Sequence, residues 1–93
     1  MSFSLTFGIR DDRMNKQGEA ALFLRYTIKR DWVNIPLKRT IDPKFWSKEA
    51  GQPKKSYPLF DDLRKVMFEF ESGYTSYIQR YYNDNGVFPF IRD

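Results

Sequence analysis

The chain has no cysteine and no histidine. Without cysteine there is no disulfide framework and no thiolate metal site. Without histidine the commonest metal ligand and the commonest general base near neutral pH are both missing. No apolar run approaches the roughly 18 residues of a membrane span. The N-terminal MSFSLTFGIR has neither the basic start nor the long apolar block of a secretory signal. No glycine-rich phosphate loop and no evident carboxylate pair stand out. Catalysis therefore ranks last among the readings, no cofactor, metal or membrane contact is expected, and a soluble cytoplasmic protein is.

What the chain does have is aromatic and cationic. Aromatics make up 18% of its 93 residues, a rich supply of buriable surface for a length that suits one small domain with a thin core. Residues 1–56 hold twelve Lys/Arg against six Asp/Glu, and residues 57–93 hold four against six. The net charge of +4 is thus confined to the first part, as a polyanion facing one side of the molecule would require.

Periodicity divides the chain at about the same place. Phe3, Leu5, Phe7 and Ile9 alternate with Ser4, Thr6, Gly8 and Arg10, the pattern of a half-buried strand. Residues 11–19, DDRMNKQGE, read as a loop. Leu22, Leu24, Tyr26 and Ile28 alternate with Phe23, Arg25, Thr27 and Lys29, and Val33, Ile35 and Leu37 with Asn34, Pro36 and Lys38. Pro36 has no N–H for a ladder, so the third strand is expected to be an edge or bulged there. A turn at Lys29-Arg30 pairs Tyr26 with Val33, and one at Arg30-Asp31 pairs it with Ile35; both oppose apolar with apolar, and the pattern does not choose.

Residues 57–85 repeat differently. Leu59, Leu63, Val66, Phe70, Tyr74, Tyr77 and Tyr81 recur at steps of three and four, flanked by Phe60, Met67 and Ile78, which predicts one long amphipathic helix. Ser56 is the candidate N-cap, Pro58 suits a first turn, and Asn83, Asn85 and Gly86 mark the end. Gly73 signals a close approach to the sheet or a break into two helices. The connector RTIDPKFWSKEAGQPKK (39–55) carries Phe45 and Trp46, expected to close one end of the core, with a short helical turn at Pro43 capped by Asp42. Its Lys48, Lys54 and Lys55 are assigned to solubility or secondary phosphate contacts.

The fold expected is α+β, a three-stranded antiparallel sheet packed on one face by a long C-terminal helix. Its strands are placed at about residues 3–10, 21–29 and 32–40, its connector at 41–56 and its helix at 57–85, within a domain spanning 1–86. The opposite sheet face stays wet and carries Arg10, Arg25, Thr27, Lys29, Asn34 and Lys38, with Phe23 as the aromatic assigned to it. Such a sheet is among the few shapes that fit the major groove of DNA. Tyr74, Tyr77, Tyr81 and Tyr82 are assigned to packing.

The runs GEAALFLRYTI (18–28) and VNIPLKRTIDPKFWSKEAGQPK (33–54) resemble the arm-type DNA-binding domain at the N-terminus of tyrosine recombinases, in the variety found in integrases of Bacteroides-like mobile elements. The resemblance runs through a first strand ending in Arg10, the loop Asn15 to Glu19, Leu24 to Thr27, and Asp42 to Trp46. It covers about residues 3–85, although Lys29-Arg30 stands where the family pattern has a tight turn such as Asn-Gly. It implies a non-catalytic module whose sheet enters the major groove of arm sites during site-specific recombination. Residues 87–93 would then be a tail or linker toward core-binding and catalytic domains. The partner implied is double-stranded DNA at the bacterial nucleoid, with self-association through the full-length recombinase. The DNA-binding residues expected are Arg10, Lys16, Arg25, Thr27, Lys29, Arg30, Asn34 and Lys38, with Arg13, Arg39 and Lys44 as secondary phosphate contacts. An assembly or dimerisation module, and an RNA-binding sheet, are the competing readings.

Overall fold

The computed structural model describes residues 3–90. Three long strands, β1 (Phe3–Met14), β2 (Ala20–Ile28) and β3 (Asp31–Ile41), form an antiparallel sheet in the order β1-β2-β3. A 3-10 turn (Pro43–Phe45), a small ribbon of β4 (Trp46–Ser47) and β5 (Gln52–Pro53), and one helix, α1 (Phe60–Asn85), follow. This is the α+β architecture that the two periodicities call for. The sheet presents Leu22, Leu24, Tyr26, Ile35, Leu37 and Ile41 to a single core, and α1 closes it with Leu63, Met67 and Ile78.

The register of the β2–β3 hairpin is decided by its turn. Ile28 pairs with Asp31 and Tyr26 with Val33, so Lys29 and Arg30 form a two-residue tip. Such a tip needs positive φ, and Lys29 supplies it at φ 51 without being glycine or asparagine. Further along, Phe23 pairs with Pro36 but Ala21 pairs with Thr40, so β3 carries a bulge just after the proline. Pro36 thus lies on an edge strand and beside a bulge, the two places where its missing N–H is tolerated. Lys38 occupies the bulge at φ 61.

β1 outruns its alternation. Residues 11–13 bulge out and Met14 rejoins the ladder opposite Ala20, so the loop expected over 11–19 shrinks to the segment around Asn15 to Gly18. Asn15 organises that turn, its Oδ1 accepting from the N–H groups of Gln17 (3.0 Å) and Glu19 (2.9 Å), while Gly18 takes φ 76. This is an Asx-type turn followed by a left-handed glycine.

The helix begins later than its apolar pattern. Its N-cap is Leu59, which has no capping side chain, and turns at residues 54–60 absorb Ser56 and Pro58. Its buried line also lies to one side of the stripe read from sequence. Met67 and Ile78, placed there as margins, are in the core, while Leu59 and Tyr77 are about half exposed. Gly73 neither breaks α1 nor approaches anything: a Cβ built there meets nothing within 4 Å. Gly73→Ala should therefore raise stability by about 1 kcal/mol, or roughly 4–8 °C in Tm for a domain this small. Thermal melting checks it, and an unchanged or lowered Tm would show that the glycine has a packing role.

Beyond Gly86, which ends α1 at φ 75 with its N–H on the Tyr82 carbonyl (2.7 Å), the chain folds back. Phe88 stacks on Tyr82 and meets Phe3 edge-on, with ring centroids 4.6 and 5.5 Å apart. Pro89 is buried, and the Tyr26 hydroxyl donates to its carbonyl at 3.0 Å. Phe88 and Pro89 thus strap onto the core, at the start of the segment read from sequence as a tail or linker; residues 91–93 lie outside the described part. Burial, and secondly the nearby Tyr77, push the Tyr26 phenol above its ordinary pKa. A phenol whose folded pKa is raised contributes stability that is full below its unfolded value, about 10, and is lost as pH climbs through the folded value. Tyr26→Phe should cost about 1–2 kcal/mol near neutrality, because it leaves the Pro89 carbonyl without its donor. It should also flatten the alkaline limb of the stability–pH curve. Denaturant titrations between pH 7 and 11 would show both effects; an identical alkaline limb would count against the assignment.

Candidate nucleic-acid interface

The side chains on the face away from α1 fall into cross-strand rows fixed by the register. Ser4, Thr27 and Trp32 form one row, Thr6, Arg25 and Asn34 the next, and Gly8, Phe23 and Pro36 a third. Arg10 and Thr40 flank Ala21 in the last. Arg25 sits at the centre because its strand is the middle one. Its Nε donates to Asn34 Oδ1 at 2.9 Å, and its guanidinium lies 4.4 Å from the Trp32 ring centroid and 5.4 Å from that of Phe23. Its two terminal nitrogens remain to form the fork that suits paired acceptors. An arginine already stacked and hydrogen-bonded loses less rotamer freedom on binding than a loose one.

Phe23 owes its place to Gly8. A Cβ on Gly8 would stand 2.5 Å from Phe23 Cζ, so the ring covers the bare glycine backbone of the neighbouring strand. Glycine inside a strand commonly marks such a close approach. Phe23 is therefore half-buried by the sheet's own surface and serves as a wall for Arg25. Asn34 likewise has a positioning role: its Oδ1 accepts from Arg25, which uses one of the oxygen's two lone pairs and leaves the amide N–H donors.

The other expected contact residues separate by position. Thr27 lies beside the centre of the face, opposite Trp32. Lys29 and Arg30 are exposed at the hairpin tip, Lys38 is exposed in the β3 bulge, and Arg10 is exposed in the row farthest from the tip, its Nε 3.9 Å from Asp12. Lys29 and Lys38 both hold left-handed backbone, which costs a non-glycine residue about 1–2 kcal/mol. Conformations of this kind concentrate where function constrains the chain. Arg13 and Lys16 are exposed near the β1–β2 turn, at the end of the sheet away from the tip. Lys44 belongs to the connector, 3.9 Å from Asp42 and over the Phe45 ring. Arg39 is drawn away from the wet face: it binds Asp62 in the first turn of α1 at 2.9 Å and ties β3 to the helix. Assigned from sequence to a secondary phosphate contact, Arg39 is engaged in this ion pair with its side chain about one-third exposed.

Sequence reasoning missed Trp32, although the signal was there. It is an even-numbered residue of β3, like Asn34 and Pro36, so parity alone puts it on the wet face. It is 59% exposed, an unusual state for so large an apolar side chain. Carboxylates keep to the margins. Asp12 flanks Arg10, Glu19 accepts from Thr40 at 3.0 Å, and Asp11 pairs with Lys48, whose hydrogen bond and charge hold the Asp11 carboxyl below its usual pKa. Among the described residues no group of His, Cys, Asp or Glu is placed to hold a metal, and no helix is long and apolar enough to cross a membrane.

A three-stranded sheet with one face on a helix, and the other built around a fixed arginine between aromatic walls, defines a small α+β binding module. A family model of the arm DNA-binding domain matches residues 7–89, and the chain belongs to that family. DNA is accordingly its partner, and binding is the role of the domain. No curated protein and no solved structure matches the chain.

Proposed function

We propose that this chain is the non-catalytic N-terminal module of a tyrosine recombinase from a mobile element. It would lay the wet face of its sheet in the major groove of duplex DNA at arm sites, outboard of the site of strand exchange. The observation that carries this reading is the central row, where Arg25 is locked by Asn34, Trp32 and Phe23 with its fork free. Shape agrees with chemistry. Three strands set the outer backbones about 10 Å apart, against a major groove about 12 Å wide. Lys29 and Arg30 at one end, and Lys38 and Arg10 toward the other, are then placed for phosphates on the groove walls.

Selection of bound duplexes from a random library, with single-stranded RNA as competitor, tests the proposal. It should recover a duplex site containing a fixed guanine and be insensitive to the RNA. Trp32 favours one second reading, since an exposed aromatic on a sheet is also what single-stranded RNA stacks upon. Loss of all duplexes to the competitor would establish that reading instead.

A further inference from the structure

Trp32 has a place on the wet face that recognition of guanine by Arg25 leaves unused. Phe23 is committed to covering Gly8, but Trp32 turns one side of its indole to the guanidinium and leaves more than half of its surface in water. An arginine that bridges O6 and N7 of a guanine lies near the plane of that base pair. The Trp32 ring lies over the guanidinium with its centroid 4.4 Å from the central carbon, a separation of the order of one base step, roughly 3.4 Å. The indole is therefore within reach of the neighbouring base pair. Base edges in the major groove are polar except at C5 of the pyrimidines, where thymine carries a methyl group.

The geometry points to Trp32 as the reader of a C5-methylated pyrimidine next to the guanine held by Arg25. The ligand class is a guanine step whose neighbour is thymine or 5-methylcytosine. This inference rests on the groove reading above and adds to it a second specificity-determining residue.

Fluorescence anisotropy on a duplex recovered by the selection tests it, with each thymine beside the guanine replaced singly by deoxyuridine. At one position the wild-type protein should lose about fourfold in affinity, the transfer free energy of one methyl group. A recovered site with cytosine at that position should gain by a similar factor on conversion to 5-methylcytosine. Trp32→Ala should bind the methylated and unmethylated duplexes equally, and Trp32→Phe should keep part of the difference. Trp32 is exposed, so these variants fold, and the ratio between duplexes is unaffected by any general weakening from a loosened Arg25. If neither methyl change moves wild-type affinity, or if the ratio survives in Trp32→Ala, the inference is overturned. Arg25→Ala separates the two failures: binding lost in that variant with no methyl effect removes Trp32 as reader and keeps the groove reading, whereas binding unchanged removes both.

Discussion

Trp46→Ala should unfold much of this domain's margin of stability while leaving its DNA-facing side chains untouched. Trp46 is 4% exposed and belongs to the same buried cluster as Ile41 and Leu63. It opens the β4–β5 ribbon by pairing with Pro53, and the ribbon is tied down on two sides. Lys48 binds Asp11 at the end of β1, and Gln52 accepts from Arg64 of α1. Phe45, tilted against Tyr57 at 5.4 Å, closes the same end. Large-to-small change at such a site costs about 3–5 kcal/mol, out of a total of about 5–15 kcal/mol for a small domain. The expected drop in Tm is about 12–40 °C, at 4–8 °C per kcal/mol. Trp46→Phe should recover most of it. Thermal and denaturant melts measure the loss, and DNA binding measured well below the lowered midpoint should be near wild type. Wild-type melting combined with lost binding would make Trp46 a contact residue and not a clasp.

That assignment was legible from composition: two adjacent aromatics after Asp-Pro, in a chain short of core, have few other uses. The same holds for the order of elements and the sheet's two faces, because period two and period three-to-four are imposed by backbone geometry. What stayed hidden depends on terms that no short window contains. The hairpin register turned on whether Lys29 would accept positive φ, a local cost set against pairing along the whole strand. The end of β1 was masked because its residues 11–13 bulge out of the ladder, leaving no alternation to read. Arg39, assigned to a secondary phosphate contact, pairs with Asp62, twenty-three positions away in sequence. The central site was half legible. Parity placed Arg25 and Asn34 on one face, but the hydrogen bond between them and the stacking of Trp32 come from cross-strand pairing, and that required the register.

Arg25→Ala should reduce affinity for the selected duplex by about 5–150-fold, the 1–3 kcal/mol of a paired contact to guanine, and barely change Tm, since no buried partner is left behind. The loss should fall on the selected site and spare non-specific duplex, so that discrimination collapses while the salt slope stays close to wild type. Lys38→Ala should do the reverse. Removing one phosphate contact weakens all duplexes alike and lowers the slope of log K against log salt by about 0.9. Arg25→Lys should rescue only part, because an ammonium reaches O6 and N7 as a point charge but lacks the planar fork and its affinity for aromatic faces. Asn34→Ala should fall between, loosening the guanidinium without removing it. Anisotropy titrations at three or more salt concentrations separate these outcomes. Equal losses on selected and random duplex in Arg25→Ala would make Arg25 a phosphate contact. No loss on either would move the reading head off the wet face altogether, leaving the hairpin tip at Lys29 and Arg30 as the next surface to test.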